Sequence, residues 1–95
     1  MNPIVPKYVL VIESYDRSGH VDFSECIGVY SDYFEAVGHA YVRLHEIADD
    51  ITDDQSNLEI YMPQEMEGDA GDCINFKVRE DKESEWLSYC ACIYF

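Results

Sequence analysis

One stretch of the chain, residues 31–51, most constrains the fold, because apolar side chains recur along it at intervals of three and four residues. This period predicts a single amphipathic helix with one apolar face. Ser31 or Asp32 can accept hydrogen bonds from the N–H groups of the first turn, so the helix is predicted to begin there. Gly38 is interpreted as a point of close packing between the helix and a sheet. The predicted apolar stripe consists of Phe34, Val37, Tyr41, Leu44 and Ala48, flanked by Ala40, Ile47 and Ile51.

Five other segments are rich in β-branched and aromatic residues, a composition that is typical of strands. Gly19 lies in a predicted turn that joins the first two strands into a hairpin, and Gly28 predicts a bulge in the second. The order β-β-α-β-β-β predicts one α+β domain over residues 1–95. Its sheet is expected to be mostly antiparallel, with four to five strands and the helix packed on one face. The five segments are residues 7–15, 21–30, 58–62, 73–79 and 86–95.

The first and last strands are apolar on both faces, although one helix covers only one face of a sheet. The other face is therefore expected to expose an apolar, aromatic patch, and such patches often mark interfaces. Homodimerisation through this face, or docking onto a partner, would cover it. The alternative is that the sheet curls and buries more of its own surface.

The charge of the chain is the strongest indication of its partners. Twenty acidic residues face six basic ones, which gives a formal net charge of −14 over 95 residues. Direct binding to nucleic acid or to an anionic membrane would need a basic patch, so the charge argues against both. It favours a basic protein, such as a nucleic-acid-binding or host defence protein. The alternative is an acidic surface that serves solubility alone.

Four acidic clusters lie in or beside predicted turns. The first is Glu13, Asp16, Asp22 and Glu25 around the hairpin. The second, Asp49 to Asp54, lies at the C-terminal end of the predicted helix, where each carboxylate opposes the helix macrodipole at a cost of some tenths of a kcal/mol. This cluster is therefore the leading candidate for a contact surface. Turns at one end of an antiparallel sheet lie close together, which would give a one-sided negative field. The candidate partner-binding residues are Asp49, Asp50, Asp53, Asp54, Glu65, Glu67, Asp69, Asp72, Glu80, Asp81, Glu83 and Glu85.

The sequence contains none of the motifs that would indicate an enzyme, a metal site or a cofactor. It has no phosphate-binding glycine loop, no EF-hand loop and no histidine pair at zinc-binding spacing. A cavity that combined His39 or His45 with Cys90 or Cys92 would favour a small enzyme or ligand-binding domain instead. The four cysteines are expected to be free and mostly buried thiols, and a four-cysteine zinc site is the alternative. We therefore expect a protein without catalytic activity, metal or cofactor.

The expected compartment follows from what the apolar segments lack. No apolar run reaches the roughly 20 residues that span a bilayer. The first residues, M-N-P-I-V-P-K, do not have the basic region and apolar core of a signal peptide. We therefore expect a soluble protein of the cytoplasm.

In size, acidity and α+β pattern, the chain resembles small phage-encoded inhibitors that mimic DNA, including some anti-CRISPR proteins and the uracil-DNA glycosylase inhibitors. The segments Y-V-L-V-I-E-S-Y and I-G-V-Y-S-D-Y-F-E-A are also similar to short hypothetical phage proteins. The resemblance covers the whole chain in character, and no functional residue is carried over from it. It implies a stoichiometric inhibitor that occupies a cationic nucleic-acid site in a bacterial host and performs no chemistry.

Overall fold

The structure, a computed structural model, describes residues 7–16, 18–66 and 71–95. It has one helix packed on a sheet of six antiparallel strands, so the predicted α+β class and element order are confirmed. The strand that was not predicted is a two-residue segment between the predicted strands 58–62 and 73–79. The elements are β1 (Tyr8–Tyr15), β2 (Val21–Tyr30), α1 (Tyr33–Ile51), a 3-10 turn (Gln55–Asn57), β3 (Leu58–Ile60), β4 (Gln64–Glu65), β5 (Gly71–Val78) and β6 (Leu87–Tyr94).

The strands lie in the order β2-β1-β6-β5-β3, and β4 also pairs with β5. The last strand, β6, lies between β1 and β5, which agrees with its apolar residues on both faces. Ala91 and Ile93 of β6 point toward the helix and are fully buried. Because neighbouring residues of a strand point to opposite faces, Cys90 and Cys92 lie on the face away from the helix.

The helix contacts the sheet through small side chains. Ala36, Ala40, Leu44 and Ala48 follow one another at four-residue intervals and are buried, so they form one row on the inner face. Phe34 was predicted in this row, and the prediction is wrong because its side chain is 78% exposed. The row is centred on the alanines, which let the helix axis approach the sheet, and Phe34 lies outside it. Its ring packs against Tyr33 instead, at 5.6 Å between centroids.

The helix begins as predicted, with Asp32 as its N-cap: the Asp32 carboxylate accepts a hydrogen bond from the Phe34 N–H at 3.1 Å. The interpretation of Gly38 is wrong. Gly38 is exposed, and a Cβ added to it would meet nothing within 4 Å. The glycine lies on the solvent side of the helix, away from the sheet.

The predicted bulge lies in β2, where Leu10 faces Gly28 but Val11 faces Cys26. Ile27 is the extra residue, and its side chain packs against the core. The shift also brings Glu25 opposite Ile12, on the helix face of the sheet, where its carboxylate lies 3.2 Å from Arg43. A bulge redirects side chains in this way because it changes their alternation.

Among the described residues, none of the helices combines the length and the apolar character that crossing a bilayer requires.

Candidate functional site at the acidic end of the sheet

Strand register brings three separate turns to one end of the sheet. Tyr15 lies opposite Val21 in β2 and opposite Ser88 in β6. Val78 lies opposite Leu58 in β3 and Leu87 in β6. The β1–β2 turn, the segment after the helix and the β5–β6 loop therefore leave the sheet at the same edge. We call this edge the acidic end and define it as residues 16–22, 49–57 and 79–86.

Side-chain contacts join two of these segments. The Arg79 Nε–H donates to the Asn57 side-chain oxygen at 3.0 Å, and the Arg79 N–H donates to the Asn57 carbonyl, also at 3.0 Å. The Arg79 guanidinium lies over the Trp86 ring, 4.2 Å from its centroid. One of the basic residues of the acidic end is therefore engaged in holding the segments together.

A groove of about 390 Å³ joins the hairpin turn to the β5–β6 loop. Its walls combine an indole ring with carboxylates from both segments. The lining residues are Tyr15, Asp16, Asp22, Glu85, Trp86, Leu87 and Ser88.

The helix adds to the negative field. It runs from β2 at the opposite end of the sheet to the acidic end, and it has no basic residue in its last turn. The C-terminal end of a helix carries a partial negative charge of about half an elementary charge. This charge adds to that of Asp49 and Asp50.

Eight of the twelve candidate partner-binding residues lie at this end, and the other four do not join them. Glu65 and Asp72 face each other across β4 and β5, next to Gly71, which is opposite Tyr94 at the far end of the sheet. Glu67 and Asp69 lie outside the described residues. Glu65 and Asp72 therefore do not share one surface with the other acidic clusters, contrary to the expectation. The eight are Asp49, Asp50, Asp53, Asp54, Glu80, Asp81, Glu83 and Glu85.

Two of these eight carboxylates build turns. Asp54 accepts hydrogen bonds from the Ser56 N–H at 2.9 Å and the Ser56 hydroxyl at 2.8 Å. Asp81 accepts from the Glu83 and Ser84 N–H groups, both at 2.9 Å. Backbone hydrogen bonds to the charged form lower the pKa of both carboxyl groups. A structural role accounts for both residues.

Five others have no such role: Asp49, Asp50, Asp53, Glu80 and Glu83. They are exposed, and within the described part of the chain their side chains make no hydrogen bond or ion pair. These five carboxylates are available to a partner.

The hairpin cluster is divided by the fold. Asp16 stays at the turn, where it accepts from the Ser18 and His20 N–H groups at 2.9 and 3.0 Å. Glu25 pairs with Arg43 under the helix. Glu13 lies on the open face, where its carboxylate accepts from the Tyr15 hydroxyl at 3.0 Å. Only Asp16 and Asp22 of this cluster contribute to the acidic end.

The centre of the open face is occupied by thiols. Cys90 and Cys92 are 4% and 2% exposed, with their sulfur atoms 3.4 Å apart, and Cys73 lies opposite Cys92. The hydrogen bond between Cys90 and Cys92 raises the pKa of the Cys90 thiol and lowers that of Cys92. The expected apolar patch is thus interrupted by sulfur atoms and by Glu13. All four cysteines are free, and Cys26, unlike the expectation, is exposed.

His39 and His45 lie on the helix, and the sheet separates them from the buried thiols. His39 lines two pockets at the surface of the helix, and neither includes Cys90 or Cys92. His39 stacks on Tyr30 at 4.7 Å between ring centroids. The part of the chain that the structure describes contains no group of three or more His, Cys, Asp or Glu side chains arranged to hold a metal ion.

Comparison of the chain with protein-family models, with curated proteins and with solved structures found no match.

Proposed function

We propose that the chain is a non-enzymatic acidic inhibitor, which binds the cationic nucleic-acid site of a DNA-binding or defence protein through the acidic end. In this proposal it acts in the cytoplasm of a bacterial host, as small phage-encoded DNA mimics do. The observation that supports the proposal is that the strand register gathers the helix C-terminus and two turns, all rich in carboxylates, at one edge.

The local balance of charge supports this assignment. Half of the chain's twenty carboxylates lie in the three segments of the acidic end, against three basic residues, Arg17, Arg79 and Lys82. Duplex DNA carries about one negative charge per 1.7 Å, so a cationic site built for it attracts a dense acidic edge. The ten carboxylates are Asp16, Asp22, Asp49, Asp50, Asp53, Asp54, Glu80, Asp81, Glu83 and Glu85.

The test combines capture with competition. The tagged protein is incubated with bacterial lysate at low salt, and the retained proteins are eluted with short duplex DNA. Duplex DNA should release the captured partner, because the two ligands compete for one cationic site. Raising the salt to about 0.5 M should also release it, since charge contacts of this kind are screened.

A pair of variants with equal net charge locates the contact. Asp53→Lys with Glu83→Lys reverses two carboxylates of the acidic end, and Glu35→Lys with Glu65→Lys reverses two exposed carboxylates elsewhere. The first variant should lose the captured partner and the second should keep it. Equal capture by both variants, or a partner that neither DNA nor salt releases, would contradict the proposal.

A second candidate function is a homodimeric interaction module. The observation that favours it is the edge strand β2, ten residues long, whose Val21, Phe23 and Val29 are each about half exposed. A long edge strand can pair with another chain. Sedimentation at micromolar concentration separates the candidates, because a strictly monomeric mass excludes a stable dimer.

A further inference from the structure

Three aromatic rings meet at the end of the sheet opposite the acidic end. Tyr8 begins β1, Tyr33 begins the helix and Phe95 follows β6. The ring centroid of Tyr8 lies 5.8 Å from that of Tyr33 and 5.8 Å from that of Phe95, and the other two are 6.2 Å apart. The three interplanar angles are 67°, 73° and 75°. The planes of the three rings are therefore nearly perpendicular to one another. We call Tyr8, Tyr33 and Phe95 the aromatic box.

An open pocket of about 330 Å³ is lined by these three rings and by Asp72. The centroids form a nearly equilateral triangle. A cation about 4 Å above this triangle would lie within about 6 Å of all three centroids, the range over which a ring face attracts a cation. One group bound in the pocket could therefore contact all three rings and the Asp72 carboxylate.

The carboxylate is held in place by one of the rings. The Tyr33 hydroxyl donates a hydrogen bond to Asp72. This hydrogen bond is the main cause that raises the pKa of Tyr33 to about 12. Glu65 lies opposite Asp72 in the β4–β5 pairing and adds a second negative charge nearby.

We propose that Tyr8, Tyr33, Phe95 and Asp72 form a binding site for a methylated ammonium group. The rings attract positive charge through their faces and contact methyl groups through their apolar carbon, while Asp72 supplies the opposite charge. This site lies at the other end of the sheet from the proposed inhibitory surface, and it does not depend on that function.

The geometry selects among cations. A planar guanidinium can stack on only one of three nearly perpendicular rings at a time, so the other two rings add little to its binding. An unmethylated ammonium is compact and strongly hydrated, and ring faces do not replace its hydrogen bonds to water. A methylated ammonium has lost those hydrogen bonds and presents apolar methyl groups, so it matches the pocket best.

The exposure of Phe95 also favours a ligand. Its side chain is 62% exposed, although it contacts both tyrosines. An aromatic ring held at the surface beside an open pocket offers apolar area that a bound group would cover.

The test uses choline as the probe, followed by amide chemical-shift titration of the intact chain. Its comparison compound is the neutral analogue in which a tert-butyl group replaces trimethylammonium. Choline should shift the amides of residues 8, 33, 72 and 95 in a saturable way, and the neutral analogue should bind more weakly. Equal binding of the two compounds, or saturable shifts elsewhere only, would overturn the proposal.

Two variants test whether Phe95 and Asp72 contribute to choline binding, and a third variant is the control. Phe95→Leu removes an exposed ring, and it should weaken choline binding between about two-fold and thirty-fold, the range of a single cation–π contact. Asp72→Asn keeps the size of the side chain, removes its charge and should also weaken binding. Phe23→Leu removes an exposed ring of β2, near the acidic end, and should leave the affinity unchanged. An affinity that Phe95→Leu and Asp72→Asn both leave unchanged would overturn the assignment.

The methylated group could belong to a free small molecule or to a lysine side chain. A peptide carrying trimethyllysine, compared with the same peptide carrying unmodified lysine, distinguishes the two sources. Tighter binding of the methylated peptide than of choline assigns the site to a modified protein, whereas tighter binding of choline assigns it to a free cation. Binding of the unmodified peptide as tightly as the methylated one would overturn the proposal.

Discussion

At the scale of single residues, Gly38 in the helix and Gly71 in β5 differ in the space that a side chain would have. Gly38 lies in the helix with open space where a Cβ would stand. Gly71 has a φ of +153°, and an added Cβ would come within 1.9 Å of the Ile93 carbonyl oxygen. The same substitution should therefore have opposite effects at the two positions.

Gly38→Ala is expected to raise the free energy of unfolding by about 0.5 to 1 kcal/mol, because alanine restricts the unfolded chain and favours helix. Gly71→Ala should lower it, because the backbone of β5 or β6 must shift. Urea unfolding of both variants checks the prediction. Destabilisation by Gly38→Ala would show that the helix packs against something on its outer side.

The cysteines should differ in reactivity. Cys26 is exposed and Cys73 partly so, whereas Cys90 and Cys92 are buried. The hydrogen bond to Cys92 and burial both raise the pKa of the Cys90 thiol, which leaves less of the reactive thiolate.

Alkylation of the folded protein should therefore modify Cys26 first and Cys73 second, with Cys90 and Cys92 protected until unfolding. Peptide mapping by mass after timed exposure to iodoacetamide measures this order, and the urea-unfolded chain is the control. Early modification of Cys92 in the folded protein would contradict it.

At the scale of elements, the helix and all the longer strands could be predicted from apolar periodicity and β-branched runs. The predictions that failed concern one side chain of the helix and one very short strand. Phe34 matches the helical period as well as Ala36 does, and only the sheet decides which row faces inward. β4 has two residues, Gln64 and Glu65, whose composition does not suggest a strand, so its pairing with β5 could not be read from the sequence.

The site was predictable only in part, because it depends on strand order. Clusters in turns were visible in the sequence, but Glu65 and Asp72 lie at the opposite end from Glu80 because the segments before and after β5 leave the sheet at opposite ends. The aromatic box was missed because it depends on the pairing of β6 with β1, which brings Phe95 next to Tyr8. Its rings come from the start of β1, the start of the helix and the residue after β6, which lie far apart in sequence.

The turn that contains Asp81 should give a pH dependence with a defined sign. Its carboxyl pKa is lowered from 3.8 in the folded state by hydrogen bonds from the Glu83 N–H and from the Ser84 hydroxyl and N–H. The stabilising contribution is therefore complete above pH 3.8, the unfolded-state value, and it is lost as the pH falls through the lower folded-state pKa.

Asp81→Ala should thus lower the Tm at neutral pH, and the difference from the parent chain should shrink as the solution is acidified below the unfolded-state pKa. Asp81→Asn is the control, because its amide oxygen still accepts a hydrogen bond but does not titrate. A difference between the parent chain and Asp81→Ala that stays constant through acidification would contradict the assignment of the pKa shift.

At the scale of the whole molecule, the net charge of −14 sets the response to salt. Carboxylates of the acidic end repel one another, and raising the salt from about 0.01 M to about 1 M shortens the Debye length from about 30 Å to about 3 Å. The Tm of the parent chain should therefore rise over this range.

The rise should be smaller for Asp53→Lys with Glu83→Lys than for Glu35→Lys with Glu65→Lys, because only the first pair removes charge from the crowded edge. The two variants have equal net charge, so the comparison separates local repulsion from total charge. Thermal unfolding over a salt series measures it, and equal slopes would argue against a concentrated field.

The position of β6 has a consequence for how the chain folds during synthesis. Its pairing with β1 joins residues as far apart as Val9 and Tyr94, and such distant contacts form slowly. A nascent chain that has not yet produced residues 87–94 leaves β1 and β5 each with an unpaired edge. Until β6 is made, both edges are open to pairing with other chains, and the net charge of −14 opposes such association.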